Sequence, residues 1–273
     1  MKHIPLLACL LPITASLVPA SAVAQDGGVA ENWTVTRLRS QETVIAATSF
    51  DNGITVMSRC MNNVFGLVMM GLPPVQAGVM SRPLTLIVGD EEEKSYIWNV
   101  AAADPGTALS RVPAVLARRL AKGGRMQIIV PAEAGGRRTR YIVELPASGS
   151  GVNETLSRCG RPLEDPRDDR LIGDGANMAK GYVWLRQPRP EFPAPTVHGA
   201  TNGGLATLSC DVLVTGRVTD CQVEDEFPVG FGFGQAARRA AAQALIGQTD
   251  EARADGQPFE PGRILFSTTF MLR

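Results

Sequence analysis

The sequence predicts an α+β protein in two parts: a β-rich N-terminal domain with two short helices, and a smaller C-terminal unit of two strands, a helix and a final strand. Within residues 25–160, apolar and polar side chains alternate between turn residues, which is typical of β structure. Residues 161–203 are rich in proline and glycine and predict a connector. Residues 204–273 alternate again around one alanine-rich helix.

The composition permits two cores and argues against a polyanionic partner. The chain has 273 residues, 44% of them apolar, which suffices for two domains of ordinary size. Its 27 basic residues balance its 27 acidic ones, so no long-range field of one sign points to nucleic acid or to an anionic membrane surface. We therefore expect no nucleic-acid partner.

The first 24 residues have the three parts of a secretory signal peptide: basic Lys2, an apolar run over residues 4–18, and small residues at Ala22 and Ala24. We predict cleavage after Ala24 and a periplasmic protein without a stable membrane anchor. The run contains two prolines and is shorter than the roughly 20 residues that span a bilayer. Retention of the segment as an anchor, and lipid attachment at Cys9, are the alternatives.

Four cysteines remain after removal of the signal segment: Cys60, Cys159, Cys210 and Cys221. An even number in an exported chain predicts two disulfides. Three pairings are possible, and the simplest joins Cys60 to Cys159 and Cys210 to Cys221, because each predicted unit holds two cysteines. Four thiols or a metal cluster are the alternative, which the lack of a C-x-x-C motif and a single remaining histidine, His198, make less favourable. We predict no metal site.

Three hairpins are predicted in the N-terminal domain, pairing residues 43–50 with 54–57, 84–88 with 96–100, and 126–130 with 141–145. The first turn, Asp51-Asn52-Gly53, contains residues that adopt positive φ readily. The acidic run 90–93 and the arginines of 137–140 are predicted to be solvated hairpin tips. A cation site and an anion site, respectively, are the alternatives.

Two helices interrupt these strands. Ser110 is predicted to cap the first, which ends at Gly123, with an apolar stripe on one side and Arg118 on the solvent side. The second covers residues 152–158 and ends at Cys159. A bond from Cys159 to Cys60 would close a loop of about 100 residues, worth roughly 4 to 5 kcal/mol in the chain-entropy model.

The C-terminal unit is predicted from one turn, one helix and one strand. Residues 205–214 and 218–223 flank Thr215-Gly216, so Cys210 and Cys221 lie equally far from the turn centre and can face each other. Val218, Cys221 and Val223 can all share one face only if the strand contains a bulge. A helix is predicted over 235–246, with alanines at four-residue spacing that allow close approach to a sheet. The last strand is predicted over 263–273.

This C-terminal pattern resembles the C-terminal domain of the TonB energy-transducer family. The resemblance is carried by residues 204–210 (GLATLSC), 215–223 (TGRVTDCQV), 232–237 (GFGQAA), 255–258 (DGQP) and 266–272, and it spans about residues 185–273. It implies a two-layer ββαβ fold and contact with outer-membrane transport proteins through an edge strand.

Two departures from the family argue against energy transduction by this chain. It shows neither an uncleaved N-terminal helix nor a long proline-rich spacer, and residues 248–253 lack the family's aromatic-proline stretch. The N-terminal region more faintly resembles exported proteins of the invasion-associated locus B type, through a cysteine after an early hairpin and a second after a late helix. That resemblance implies no chemistry.

No catalytic constellation is found, so neither an enzyme nor a cofactor is predicted. The only histidine of the mature chain, His198, lies in the connector, and the common nucleophile, phosphate-loop and metalloprotease motifs are absent from the sequence. The glycines of 230–234 precede a helix and are interpreted as a bend, with an anion site as the alternative. Methionines near Cys60 are interpreted as core residues, with copper binding as the alternative.

The leading hypothesis is a protein-binding module that adds an extended segment of an envelope protein, such as an outer-membrane transporter, to its last strand. The predicted binding residues are Arg263, Ile264, Phe266, Thr268, Phe270 and Leu272. Arg263 would lie at the strand end, where charge discourages unspecific pairing. The alternative is a structural or stress-related envelope protein whose edge is covered by the connector around residues 182–185.

Overall fold

The computed structural model describes residues 26–29, 32–38, 42–101, 103–132, 138–175, 178–194 and 201–272. Over these residues the protein is a strand-rich α+β protein, as predicted. The predicted signal segment with its cleavage site, the centre of the hairpin tip at 133–137, and His198 lie outside the described residues.

The first ten strands form one sheet in the order β1-β10-β9-β6-β7-β8-β5-β4-β3-β2. They are β1 (Asp26–Val29), β2 (Thr34–Leu38), β3 (Thr43–Ser49), β4 (Thr55–Met61), β5 (Val64–Met70), β6 (Ser81–Val88), β7 (Lys94–Ala101), β8 (Asp104–Ser110), β9 (Gly124–Val130) and β10 (Thr139–Leu145). The three predicted hairpins are confirmed as the antiparallel pairs β3–β4, β6–β7 and β9–β10.

Two helices pack against this sheet, α1 (Pro113–Leu120) and α2 (Ser150–Arg158). Apolar side chains of both enter a core with the sheet, among them Leu116 and Leu156, which are fully buried. The prediction that Ser110 is the N-cap residue of α1 is wrong, since Val112 occupies that position. The Ser110 hydroxyl accepts a hydrogen bond from the amide of Val112 at 3.1 Å.

The remaining strands form a second sheet in the order β11-β16-β13-β14 and a two-stranded sheet of β12 and β15. Their bounds are β11 (Leu171–Gly175), β12 (Tyr182–Arg186), β13 (Gly203–Val212), β14 (Val218–Phe227), β15 (Leu245–Gln248) and β16 (Gly262–Met271). The helices here are α3 (Phe233–Ala241), α4 (Asp250–Ala254) and the 3-10 helix Pro166–Arg170.

The connector contains regular structure, since it supplies the 3-10 helix and the strands β11 and β12. One prediction for this region is wrong. The predicted helix 235–246 ends at Ala241, and Ile246, which is 1% exposed, lies instead on β15. Pairing with β12 and burial of Ile246 stabilise this strand, an effect of tertiary packing that local helix propensity does not include.

The two predicted disulfides are confirmed. Cys60 on β4 is bonded to Cys159 at the end of α2, and Cys210 on β13 is bonded to Cys221 on β14. The β13–β14 ladder pairs Ser209 with Gln222 and Asp211 with Thr219, so its register shifts beside the disulfide. Two disulfides fit a protein that folds in an oxidising compartment, as an exported protein does.

Strand β16 contributes to both hydrophobic cores. Ile264, Phe266 and Phe270 lie in the smaller core with α3, whereas Leu265 lies in the larger core with the first ten strands. The Phe233 ring occupies the space beside Gly204, where a Cβ atom would come within 2.1 Å of it, so this β13 position requires glycine. Leu272, one of the predicted binding residues, follows the strand and is 61% exposed.

Candidate functional site: the two halves of strand β16

The first half of β16 is paired on both sides. β13 runs antiparallel along its whole length, and β11 pairs in parallel from Leu171, opposite Arg263, to Gly175, opposite Phe266. The expectation that Arg263 and Ile264 line an open edge is therefore wrong. The covering segment is also not residues 182–185, since β12 pairs with β15.

The second half of β16 begins where β11 ends. The amide of Ala179 donates a hydrogen bond to the carbonyl of Ile172 on β11 at 2.9 Å. Ile172 is 7% exposed in the smaller core and anchors β11 there. Among the residues that the structure describes, only β13 pairs with residues 267–271.

Side chains of this outer half divide between the core and the surface. Phe270 packs against Phe233, with ring centroids 4.8 Å apart, and against Phe192 at 6.4 Å. Thr268 is half-buried, Thr269 is exposed, and Met271 is 76% exposed. The outer half is thus held firmly through one face while its main chain lies at the border of the sheet.

Arg263 is a buried charge and not a guard at the strand end, because it is only 1% exposed. Its Nη1 atom donates to Asp165 Oδ2 at 2.9 Å and to Asp168 Oδ1 at 2.8 Å. Its Nη2 atom donates to Ser209 Oγ at 2.7 Å and to Glu224 Oε1 at 3.0 Å. The buried guanidinium is thus paired with three carboxylates, and burial of a charge requires such pairing.

Further arginines complete this ion network. Arg118 of α1 donates from Nε to Asp168 Oδ2 at 2.6 Å, so its predicted place on the solvent side of the helix is wrong. Arg161 lies 3.7 Å from Glu224 Oε2, and Arg167 donates from Nε to Asp165 Oδ1 at 2.9 Å. The network therefore connects α1, which packs against the larger sheet, with the 3-10 helix, β14 and β16.

The Asp165 carboxyl shows the electrostatic effect of this network. Burial alone would raise the pKa of Asp165, but hydrogen bonds from Arg167 and the positive charges of Arg263 and Arg167 outweigh it and hold the pKa at about 2. Asp165 therefore stays ionised across the physiological range and supports the ion pairs around it.

The Glu226 carboxylate occupies the position at which the glycine-rich residues 230–234 could have bound an anion. The Glu226 side chain accepts hydrogen bonds from the amides of Gly232 and Gly234, both at 2.8 Å, at the start of α3. The protein's own carboxylate thus stabilises the positive end of the helix. This contact favours the interpretation of residues 230–234 as a structural bend.

Asp225, next to Glu224 on β14, lies in a different environment. Its Oδ2 accepts a hydrogen bond from Asn99 Nδ2 at 3.1 Å, and Asn99 Oδ1 accepts one from Arg111 Nε at 2.8 Å. Burial raises the pKa of Asp225 to about 6, although a backbone hydrogen bond and the charge of Arg111 act in the opposite direction. This carboxyl also lies where the two sheets meet.

The carboxylates around Arg263 were missed by sequence reasoning. Asp165 and Asp168 belong to the run EDPRDDR at 164–170, and this alternation of acidic and basic residues is the one signal that could have marked a charge cluster. Nothing local indicated that Arg263 would reach it.

Three further observations bear on the site. Over the described parts of the chain, no group of three or more histidine, cysteine, aspartate or glutamate side chains could hold a metal ion. Over the same parts, no helix has the length and apolar character needed to cross a membrane. Comparisons with protein-family models, with curated proteins and with solved structures find no match.

Proposed function

We propose that this chain is an exported envelope protein that binds an extended segment of another envelope protein by strand addition to residues 267–271 of β16. One observation carries the proposal: β11 ends opposite Phe266, so the outer half of β16 has a single strand partner among the described residues. An added strand would gain main-chain hydrogen bonds, while alternate side chains determine which sequence is accepted.

The proposal narrows the predicted binding residues. Thr268 and Phe270 remain within the binding segment and Leu272 lies just beyond it, whereas Arg263, Ile264 and Phe266 are paired with β11. Phe270 supports the segment from the core side, and the exposed Met271 offers an adaptable apolar contact.

The wider parts of the proposal rest on the resemblance of residues 185–273 to the TonB C-terminal domain. It assigns the C-terminal region to a two-layer TonB-like domain, the partner to the outer-membrane transport proteins, and the location to the periplasm, after cleavage at Ala24. Binding, and neither catalysis nor energy transduction, is the proposed role. Two disulfides support export.

The second candidate is a structural envelope protein in which the C-terminal sheet serves the fold alone. The burial of Arg263 among three carboxylates favours it, because this network fixes the C-terminal sheet to α1 of the larger sheet. The two candidates differ in what they predict for residues 267–271.

Two adjacent proline substitutions separate the candidates. In a paired strand, successive residues direct their N–H groups to opposite sides, so one of Thr268 and Thr269 bonds to β13 and the other points to the free side. We expect one of Thr268→Pro and Thr269→Pro to destabilise the protein and the other to leave the fold intact but abolish partner capture. Urea unfolding and capture from envelope extract by the whole mature chain measure the two properties.

A photo-crosslinking residue at position 269 identifies the partner, and the same residue at exposed Asp220, on the β14 side of the turn, is the matched control. We expect one envelope protein to be cross-linked at 269 through a contiguous segment, and not at 220. If the proline variant that stays folded captures that protein as tightly as the parent chain, the strand-addition mechanism is wrong and the structural role is favoured.

A further inference from the structure

A basic groove lies between α3 and the proline-rich segment that follows β12. Its volume is about 690 Å³, and α3 forms one wall while the end of β12 and residues 187–191 form the other. Three arginines from three separate elements line it: Arg186 at the end of β12, Arg189 in the proline-rich segment and Arg239 on α3. All three are exposed to solvent.

These arginines carry positive charge that the described part of the protein leaves largely unbalanced. Arg186 Nη1 donates to the carbonyl of Gln243 at 3.4 Å, and none of the three arginines forms an ion pair with a described carboxylate. Among the described residues that line the groove, Glu191 is the single acidic one. Residues 195–200, which follow the proline-rich segment, contain no acidic residue.

Apolar side chains also line the groove. Ala236 and Ala240 lie one turn apart on α3, and Trp184 stands beside them, held by an edge-to-face contact with Phe266 at 5.3 Å. A carboxylate that enters would be partly screened from water by these groups, which strengthens its attraction to guanidinium. Tryptophan and arginine are also the residues that dominate protein-binding surfaces.

We propose that this groove binds an acidic peptide segment of a protein partner. Guanidinium groups bind carboxylates through two parallel hydrogen bonds, and clusters of arginines recognise acidic motifs in this way. The whole chain has equal numbers of basic and acidic residues, so the attraction is a local property of this groove. The negative charge of Glu191 disfavours a continuous phosphodiester backbone, which presents charge at every position.

The inference does not depend on strand addition to β16, because the groove and residues 267–271 share no lining residue. A negative result for one site therefore leaves the proposal for the other site untouched.

The test is a fluorescence-anisotropy titration of the whole mature chain with a short labelled peptide of alternating glutamate and serine. A peptide with glutamine in place of every glutamate is the ligand control. We expect saturable binding of the acidic peptide that weakens with added salt, and much weaker binding of the glutamine peptide.

The groove is tested by Arg186→Gln, Arg189→Gln and Arg239→Gln. The matched control is Arg238→Gln, a neighbouring exposed arginine of α3 that does not line the groove. We expect each groove variant to weaken binding about two- to fivefold, the triple variant to abolish it, and the control to change it less than twofold.

Three results would overturn the inference. The first is no saturable binding of the acidic peptide by the parent chain. The second is an equal loss for Arg238→Gln and the groove variants, which would show diffuse surface attraction. The third is tighter binding of polyphosphate than of the peptide, which would assign the groove to a phosphate ligand. The β16 proline variant that stays folded should bind the acidic peptide like the parent, so failure of the strand-addition proposal is recognised separately.

Discussion

The two halves of β16 have the same strand geometry but different surroundings. Arg263–Phe266 has a strand on each side, and Arg263 is buried among three carboxylates. Residues 267–271 have one strand partner among the described residues and alternate buried Phe270 with exposed Thr269 and Met271. Position along one strand thus separates a structural segment from one that is suited to binding.

The largest expected effect is in the inner half. Arg263→Ala leaves Asp165, Asp168 and Glu224 without their shared cation, and removal of one partner from a buried ion network costs about 3–5 kcal/mol. We expect this loss in the free energy of unfolding, measured by urea titration. A loss below about 1 kcal/mol would show that water replaces the guanidinium and that the network does not hold the two sheets together.

A smaller effect concerns acid stability. Because the pKa of Asp165 is lowered to about 2, its ion pairs contribute stability that is complete above the unfolded value of 3.8 and is lost as pH falls through 2. The contribution should be about 2 kcal/mol, after a discount for solvent screening. Asp165→Asn should lower stability at pH 7 and flatten the dependence below pH 4. If the free energy of unfolding of the variant falls below pH 4 as steeply as that of the parent, this role of Asp165 is wrong.

Asp225, the residue next to Glu224, should give the opposite pH dependence of stability. Its pKa is raised to about 6, so it favours folding most below 3.8, and this stability is lost as pH rises through 6. Asp225 is only partly buried, so we expect about 1 kcal/mol. Asp225→Asn should stabilise the protein at pH 7 by that amount and not at pH 4. Urea unfolding at both pH values measures the difference, and equal changes at both would refute it.

The smallest effect is expected in the outer half. Thr269 is exposed, and Thr269→Ala keeps the backbone and removes one surface side chain. The free energy of unfolding should change by less than about 0.5 kcal/mol, measured beside Arg263→Ala under the same conditions. A loss comparable to that of Arg263→Ala would show that the two halves are equally structural, and the contrast between them would fail.

Local chemistry explains which parts of this arrangement could be predicted from the sequence. The β3–β4 hairpin follows from its turn, in which Gly53 has positive φ and the Asn52 side chain accepts a hydrogen bond from the amide of Ile54. The disulfides follow from cysteine number and from the order of the predicted elements. Both features require little information about remote residues.

The candidate site could be predicted only in part, because its key contacts are remote. β11 has the sequence LIGDG, which includes two glycines and has weak strand propensity, and it forms through parallel pairing with β16. Arg263 resembles a solvent-exposed residue at a strand end until Asp165 and Asp168 are brought beside it. The last strand was therefore recognised, but the half that pairs with β11 was not.

The place of β16 in its sheet has a consequence for the order of folding. β16 lies between β11 and β13, yet it follows both in the sequence. β11 is synthesised well before β16, so the pairing of Leu171 with Arg263 joins residues that are far apart in the sequence. Such non-local pairing is slow to form. The C-terminal sheet should therefore close late, with β16 inserting between two strands that cannot complete their hydrogen bonds without it.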